Sequence, residues 1–315
     1  MTTTLIQPSV KFADPDTTAK GEARAKVAYT GTKTLWLNTG TLCNIECANC
    51  YIESSPTNDA LVYLTLADVL PYLDELDAAG ETGIEIGITG GEPFMAPEII
   101  AIMEAALERG HSLLVLTNAM QPMMRPRIKD GLLDLHARFG DRMTLRVSLD
   151  HYTAALHDEE RGAGAFDLTL KGLKWLGEHG FRVDLAGRTV WGEAEAEARA
   201  GYGKLIDRLG LDTRADDPAS LVLFPEMEAD GDPPEITTSC WGILDKDPAS
   251  LMCASQRMVV RRKGAGRASV VACTLIPYDE RFELGDTLAE ARGEVSLNHS
   301  YCASFCVLGG GSCSA

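Results

Sequence analysis

The sequence predicts an α/β fold built on a parallel sheet. Short apolar runs recur at Thr34–Leu37, Ile84–Ile88, Leu113–Leu116, Thr144–Leu149, Arg182–Ala186 and Leu221–Phe224, and the stretches between them carry helix-forming segments. Polar residues able to bind a ligand also gather just past several of these runs, at the carboxyl ends of the strands, where parallel α/β folds hold their ligands. Spacing alone does not separate an open sheet from a barrel.

Residues 1–30 are polar, with Pro8 and Pro15, and are expected to form an arm or a short cap over the sheet. Thr65 can cap a helix running to about Ala79, whose buried stripe would be Val69, Leu70, Leu73 and Leu76. Further helices are expected at Ala96–Arg109, Arg127–Phe139, Phe166–His179 and Glu193–Leu209. The acidic, Pro- and Gly-rich run Glu226–Pro234 reads as a linker. The expected division is therefore an N-terminal arm (1–30), a core (31–225) and a small cysteine-rich α+β domain (226–315).

With 315 residues the chain can bury one large core or a large and a small one. The 46 acidic against 29 basic residues argue against a nucleic-acid substrate, since such binders need cationic surface to replace counterions. No stretch approaches the ~18–20 apolar residues that span a bilayer, so no membrane partner is expected. Nine cysteines without a signal peptide read as ligands and thiols in a reducing compartment rather than a disulfide framework, and the expected location is cytoplasmic.

The most informative stretch is Leu42–Tyr51, in which Cys43, Cys47 and Cys50 follow the first apolar run. Four cysteines would close a structural zinc site, whereas three leave one position open, which suits a catalytic metal or an iron–sulfur cube with one uncapped iron. A short irregular loop can aim three sulfurs at three irons; on a helix the same residues would form a stripe. The chain here resembles the radical S-adenosylmethionine (SAM) enzymes, whose hallmark is this CxxxCxxC loop after the first strand of a partial barrel. A second resemblance is Gly90-Gly91-Glu92-Pro93 after the second run. The two glycines lack a Cβ, so backbone carbonyls can approach a ligand's ammonium group, which in the family is the methionyl amine of SAM. One departure is Asn49, which stands where the family usually has an aromatic residue beside the adenine; Tyr51 is the candidate substitute.

The resemblance implies a partial (β/α)6 TIM-type barrel over roughly residues 30–225, with a [4Fe-4S] cluster and SAM as cofactors. It also implies SAM contacts at the strand ends Thr117-Asn118 and Ser148-Leu149-Asp150, and at Arg161 in His157–Gly162, whose planar fork suits a carboxylate. A strand-end turn, or an ion pair of Arg161 with Asp158 or Glu160, would explain the same residues. His151 and His157 lie near the expected pocket, while His136 and His179 read as ordinary helix-surface residues.

The remaining cysteines are Cys240, Cys253, Cys273, Cys302, Cys306 and Cys313. Met258–Val271 reads as a glycine-turned hairpin between two of them, and this pattern resembles the SPASM or twitch extension of many radical SAM enzymes. That likeness implies an auxiliary [4Fe-4S] cluster, with Cys253, Cys273, Cys302 and Cys306 as the preferred ligands and Cys240 or Cys313 able to replace one of them. Two clusters with three thiolates each, or a zinc site, stay open. The basic run Arg261–Arg267 reads as a solvated hairpin tip. By family analogy the substrate is a peptide or protein side chain, with a small molecule as the alternative, and the partner is a low-potential electron donor such as flavodoxin or ferredoxin. An electron-transfer protein without SAM cleavage is the reading from another class.

Overall fold

The computed structural model describes residues 10–225 and 231–312. Cys313 and the first five residues of the acidic linker lie outside them. The chain divides into two compact units, the larger formed by Thr32–Phe224 and Gln256–Ala291.

Strand β1 (Lys26–Val27) belongs to the smaller unit; all six expected strands lie in the larger one, as β2 (Thr34–Asn38), β3 (Glu85–Thr89), β4 (Ser112–Thr117), β5 (Met143–Ser148), β6 (Arg182–Arg188) and β7 (Leu221–Phe224). They pair in parallel in that order. Every residue of β2 is buried, as expected of a strand covered on both faces. Helices α1 (Leu66–Ala78), α2 (Ile99–Glu108), α3 (Pro126–Phe139), α4 (Ala154–Arg161), α5 (Ala165–Glu178) and α6 (Glu195–Leu209) fill the crossovers. Thr65 caps α1 in a reciprocal box: its hydroxyl accepts from the Asp68 N–H and the Asp68 carboxylate accepts from the Thr65 N–H. Helix α4 was not anticipated. Its charged sequence buries only His157 and Glu160, too little apolar surface for a periodic signal.

The expected hairpin forms, but it belongs to the main sheet rather than to a separate domain. Strand β8 (Gln256–Val260) pairs in parallel with β2, and β9 (Ser269–Val271) and β10 (Glu283–Gly285) follow in antiparallel fashion. The result is a nine-stranded sheet whose edges are β7 and β10, open rather than closed. The Trp36 indole N–H donates to the Gln256 side-chain oxygen at 2.9 Å, tying β2 to β8 inside the core. The basic tip is solvated as expected, with residues 263–267 exposed. Its charges are also paired within the same unit: Arg261 with Asp68, Arg262 with Glu283, Lys263 with Asp59 and Arg267 with Asp286.

The smaller unit joins residues 10–31 to 231–255 and 292–312. Strand β1 pairs antiparallel with β11 (Val295–Ser296), and α7 (Cys240–Leu244) and a π-type helical segment (Cys302–Leu308) complete it. The N-terminal residues are thus part of this unit's sheet and core rather than a cap; the chain passes between units close to the expected 30 and 225, but residues 10–31 group with the smaller unit and 256–291 with the larger. Pairing between distant segments caused both differences, and neither segment's own pattern could disclose its partner. Among the described residues, no helix is long and apolar enough to cross a membrane.

Close backbone approach positions α5. A Cβ on Gly172 would lie 1.9 Å from the carbonyl oxygen of Ala119, in the turn after β4. Gly172→Ala is expected to destabilise the protein by about 1–3 kcal/mol through this overlap. Chemical denaturation would read it as a lower midpoint at unchanged slope.

Candidate cluster and cofactor site

The three-cysteine loop follows β2 and is held by hydrogen bonds within the loop and from Tyr278. The Cys43 N–H donates to Ser55 O at 3.0 Å, the Glu53 N–H donates to Cys50 O at 2.9 Å, and the Tyr278 hydroxyl donates to Ile52 O at 2.7 Å. Cys43 is buried at 5% exposure, whereas Cys47 and Cys50 are half-buried, and all three are free thiols. Burial pushes the Cys43 thiol up to about 12 and also raises Cys47, which the nearby Arg161 guanidinium pulls the other way.

The Gly90-Gly91 turn abuts the chain that leads into this loop. The Gly91 N–H donates to Gly40 O at 2.7 Å and the Glu92 N–H to Leu42 O at 3.2 Å. A Cβ on Gly91 would sit 2.2 Å from Leu42 O, and one on Gly90 2.6 Å from Gly40 O. Glycine is therefore demanded at both positions by contact with the backbone that leads into the cysteine loop. Pro93 is buried and opens a short 3-10 turn.

Glu92 is 1% exposed and accepts four hydrogen-bond contacts. The Phe94 N–H donates at 3.1 Å, the Asn118 N–H at 2.9 Å, and the Thr117 hydroxyl reaches both oxygens, at 2.9 and 3.0 Å. Burial outweighs these donors and lifts its carboxyl to about 7. The Asn118 amide donates to Asn44 Oδ1 at 3.0 Å and lies 3.9 Å from Cys43 Sγ. Glu92, Thr117 and Asn118 thus form the wall beside the cysteine loop.

Asp150 and Arg161 form a two-pronged pair, Nε to Oδ2 at 2.6 Å and Nη2 to Oδ1 at 3.0 Å. Burial would raise the Asp150 carboxyl, but the guanidinium beside it holds it below its usual value. The ion pair expected of Arg161 with Asp158 or Glu160 is absent among the described contacts. Asp158 instead accepts from the Gly164 and Phe166 N–H groups at the start of α5, and Glu160 pairs with Arg188. Two prongs of the Arg161 fork are engaged by the protein's own carboxylate. Ser148 ends β5 half-buried, opposite Ala186, and Tyr51 is half-buried after Cys50. His157 is wholly buried edge-on to Phe166, and burial lowers it to about 4. His151 is also buried, its Nδ1 accepting from the Thr153 N–H beside α4.

In the smaller unit, Cys240, Cys253, Cys302 and Cys306 all pack on one apolar cluster of Ala25, Val27, Ile236, Leu251 and their neighbours. Burial, then the neighbouring Cys253, pushes the Cys302 thiol up to about 12. The Lys246 ammonium donates to the carbonyls of Cys306 and Val307, at 2.6 and 3.0 Å. Cys273 lies in the larger unit after β9, its sulfur accepting from the Leu275 N–H at 3.4 Å.

Among the described residues, no three His, Cys, Asp or Glu side chains converge as ligands of a single ion would. A four-iron cube asks for something else, since each thiolate takes a different iron. The donor set fits that group: three soft ligands on one loop, one of them buried, against a glycine turn with no side chain to intrude. Metal binding would ionise the thiols that burial keeps protonated.

Comparison with known proteins agrees with this geometry. The family model of the radical SAM superfamily matches residues 37–195, half of the chain, and the chain belongs to that superfamily. This is the family that the cysteine loop and the glycine turn resemble. It is 34% identical over 145 residues to the antilisterial bacteriocin subtilosin biosynthesis protein AlbA of Bacillus subtilis, a match covering 46% of this chain and 30% of that one. To the AdoMet-dependent heme synthase of Methanosarcina barkeri it is 30% identical over 135 residues, 42% of this chain and 36% of the other. The fold resembles that of Streptococcus suis SuiB bound to S-adenosylmethionine, with a TM-score of 0.56 at 14% identity, over 81% of this chain and 63% of SuiB. The match thus spans about a third of the length of the curated relatives.

Glu92→Gln is expected to cost about 1–3 kcal/mol, because an amide cannot accept from every donor that now converges there. A carboxyl raised in the folded state contributes stability that is full below its unfolded value and lost as pH rises through about 7. The deficit of the variant should therefore shrink between about pH 5 and about pH 8, read by denaturant titration at each pH.

Proposed function

We propose that this chain modifies a peptide or protein side chain by radical SAM chemistry. The observation that carries the reading is the contact of the Gly90-Gly91 turn with Gly40 and Leu42, which lead directly into the Cys43–Cys50 loop, beside a wall of Glu92, Thr117 and Asn118. Cys43, Cys47 and Cys50 would hold the cluster. Asn118 and the Asp150–Arg161 pair supply polar groups beside it. The chemistry supplied when cluster and SAM are bound is reductive cleavage to a 5′-deoxyadenosyl radical able to abstract a substrate hydrogen. The chain's own part is to present the thiols on one face, hold Glu92 away from solvent and keep water from the reacting atoms. An electron donor of low potential, such as flavodoxin or ferredoxin, would supply the electron.

Peptide substrates are supported by the likeness to AlbA, which serves the biosynthesis of a bacteriocin. A small-molecule substrate is the second reading, favoured by the match to a heme synthase. The smaller unit is the candidate home of an auxiliary [4Fe-4S] cluster, since Cys253, Cys302 and Cys306 share its apolar cluster with Cys240. Cys240, which packs on the same apolar cluster, is the candidate fourth ligand.

After anaerobic reconstitution, Cys47→Ala should abolish 5′-deoxyadenosine production from SAM and dithionite, followed by chromatography. Normal nucleoside yield in that variant would refute the site. Cys253→Ala should remove about four irons per chain while the first cluster stays. Cys240→Ala should lower the iron content to the same extent, and unchanged iron there would exclude it as the fourth ligand.

A further inference from the structure

The tip of the cysteine loop has little apolar packing to hold it. Glu46, Ala48 and Asn49 are exposed, and Asn49 stands where the family usually carries an aromatic residue. Yet this tip separates Cys47 from Cys50, whose spacing decides whether a cube can seat with one iron open. Three hydrogen bonds converge on it instead, and a fourth joins the two residues that make them. The Ala48 N–H donates to Glu160 O at 2.8 Å, and the Asn49 amide donates to Glu160 Oε1 at 2.7 Å. Arg188 Nη1 donates to Glu160 Oε2 at 3.0 Å and to Asn49 O at 3.2 Å.

Glu160 is buried near the end of α4, and Arg188 ends β6. Both anchors therefore sit on regular elements, and the Glu160 carboxylate is shared between one amide and one guanidinium. A loop pinned in this way loses its conformational freedom on folding rather than on cofactor binding, which favours a site already shaped for its ligand.

We propose that Glu160, Arg188 and Asn49 form a polar clip that positions the cluster loop for SAM. These are positioning residues, acting through the backbone between Cys47 and Cys50. The inference rests on the proposed cluster site and deepens it.

The test uses the reconstituted full chain with SAM itself as the probe. Asn49→Ala changes an exposed residue and Glu160→Gln keeps one oxygen for Asn49 while setting an amide against Arg188; neither removes a thiol. Each is expected to weaken SAM binding about tenfold by equilibrium dialysis, as loss of a charge-assisted hydrogen bond does. Each should also diminish the change that SAM causes in the electron paramagnetic resonance spectrum of the reduced cluster. Iron content and thermal midpoint should stay near those of the parent. If the clip acts as a unit, the double variant binds SAM no more weakly than the worse single variant. Parent-like SAM affinity in Asn49→Ala, or strictly additive losses, would overturn the clip. Should Glu160→Gln fail to fold, Asn49→Ala and Arg188→Lys decide by the same two readouts. The Cys47→Ala control separates the two claims: retained SAM cleavage there removes the site itself, whereas its loss alongside a silent Asn49→Ala removes only the clip.

Discussion

The larger unit depends on one buried carboxylate. Glu92 follows β3 and takes N–H and O–H donors from its own turn and from the end of β4, while its backbone N–H donates into the chain that leads to Cys43. Three pieces of the site are thereby fixed to one another: the glycine turn, the Thr117-Asn118 strand end and the cysteine loop. A charged group so enclosed is costly, and burial moves its carboxyl towards neutrality in spite of its donors. That cost is sustained because apolar replacement would leave the Thr117, Phe94 and Asn118 donors without acceptors.

Around this centre the protein uses charge sparingly and in matched sets. Asp150 engages Arg161 with two prongs, and Glu160 engages Arg188 and Asn49. Both sets lie at the carboxyl ends of β5 and β6 or on α4, and each orders groups near the cysteines with electrostatics that low local polarity strengthens. Burial also holds the Cys43 thiol far from ionisation on its own. Such a loop is a poor nucleophile and a good ligand, since only a bound cation makes thiolates favourable there.

The smaller unit repeats the pattern on a smaller scale. It has little apolar core, and its described cysteines pack on that core beside a two-stranded ribbon and short helical turns. A unit with so small a core gains most from cross-links or a metal. Arg24, its side chain wholly buried and paired with Glu235, also donates to the carbonyls of Asp14, Thr17 and Leu297, so that the N-terminal residues are bound into the same unit.

Local pattern was enough for the six parallel strands, the capped helix at Thr65 and the Cys43, Cys47 and Cys50 loop, because periodicity, capping chemistry and ligand spacing are written within a few residues of one another. The glycine turn was legible for the same reason, although its packing against Gly40 and Leu42 was not. Helix α4 went unread for want of an apolar stripe. Only the tertiary structure decided that β8 lies beside β2, that residues 10–31 share a unit with the late cysteines, that Arg161 is taken by Asp150, and that Asn49 is held by Glu160 and Arg188. Each of these joins residues distant along the chain, and such a partner is chosen by shape and charge in the folded molecule, which no single segment encodes.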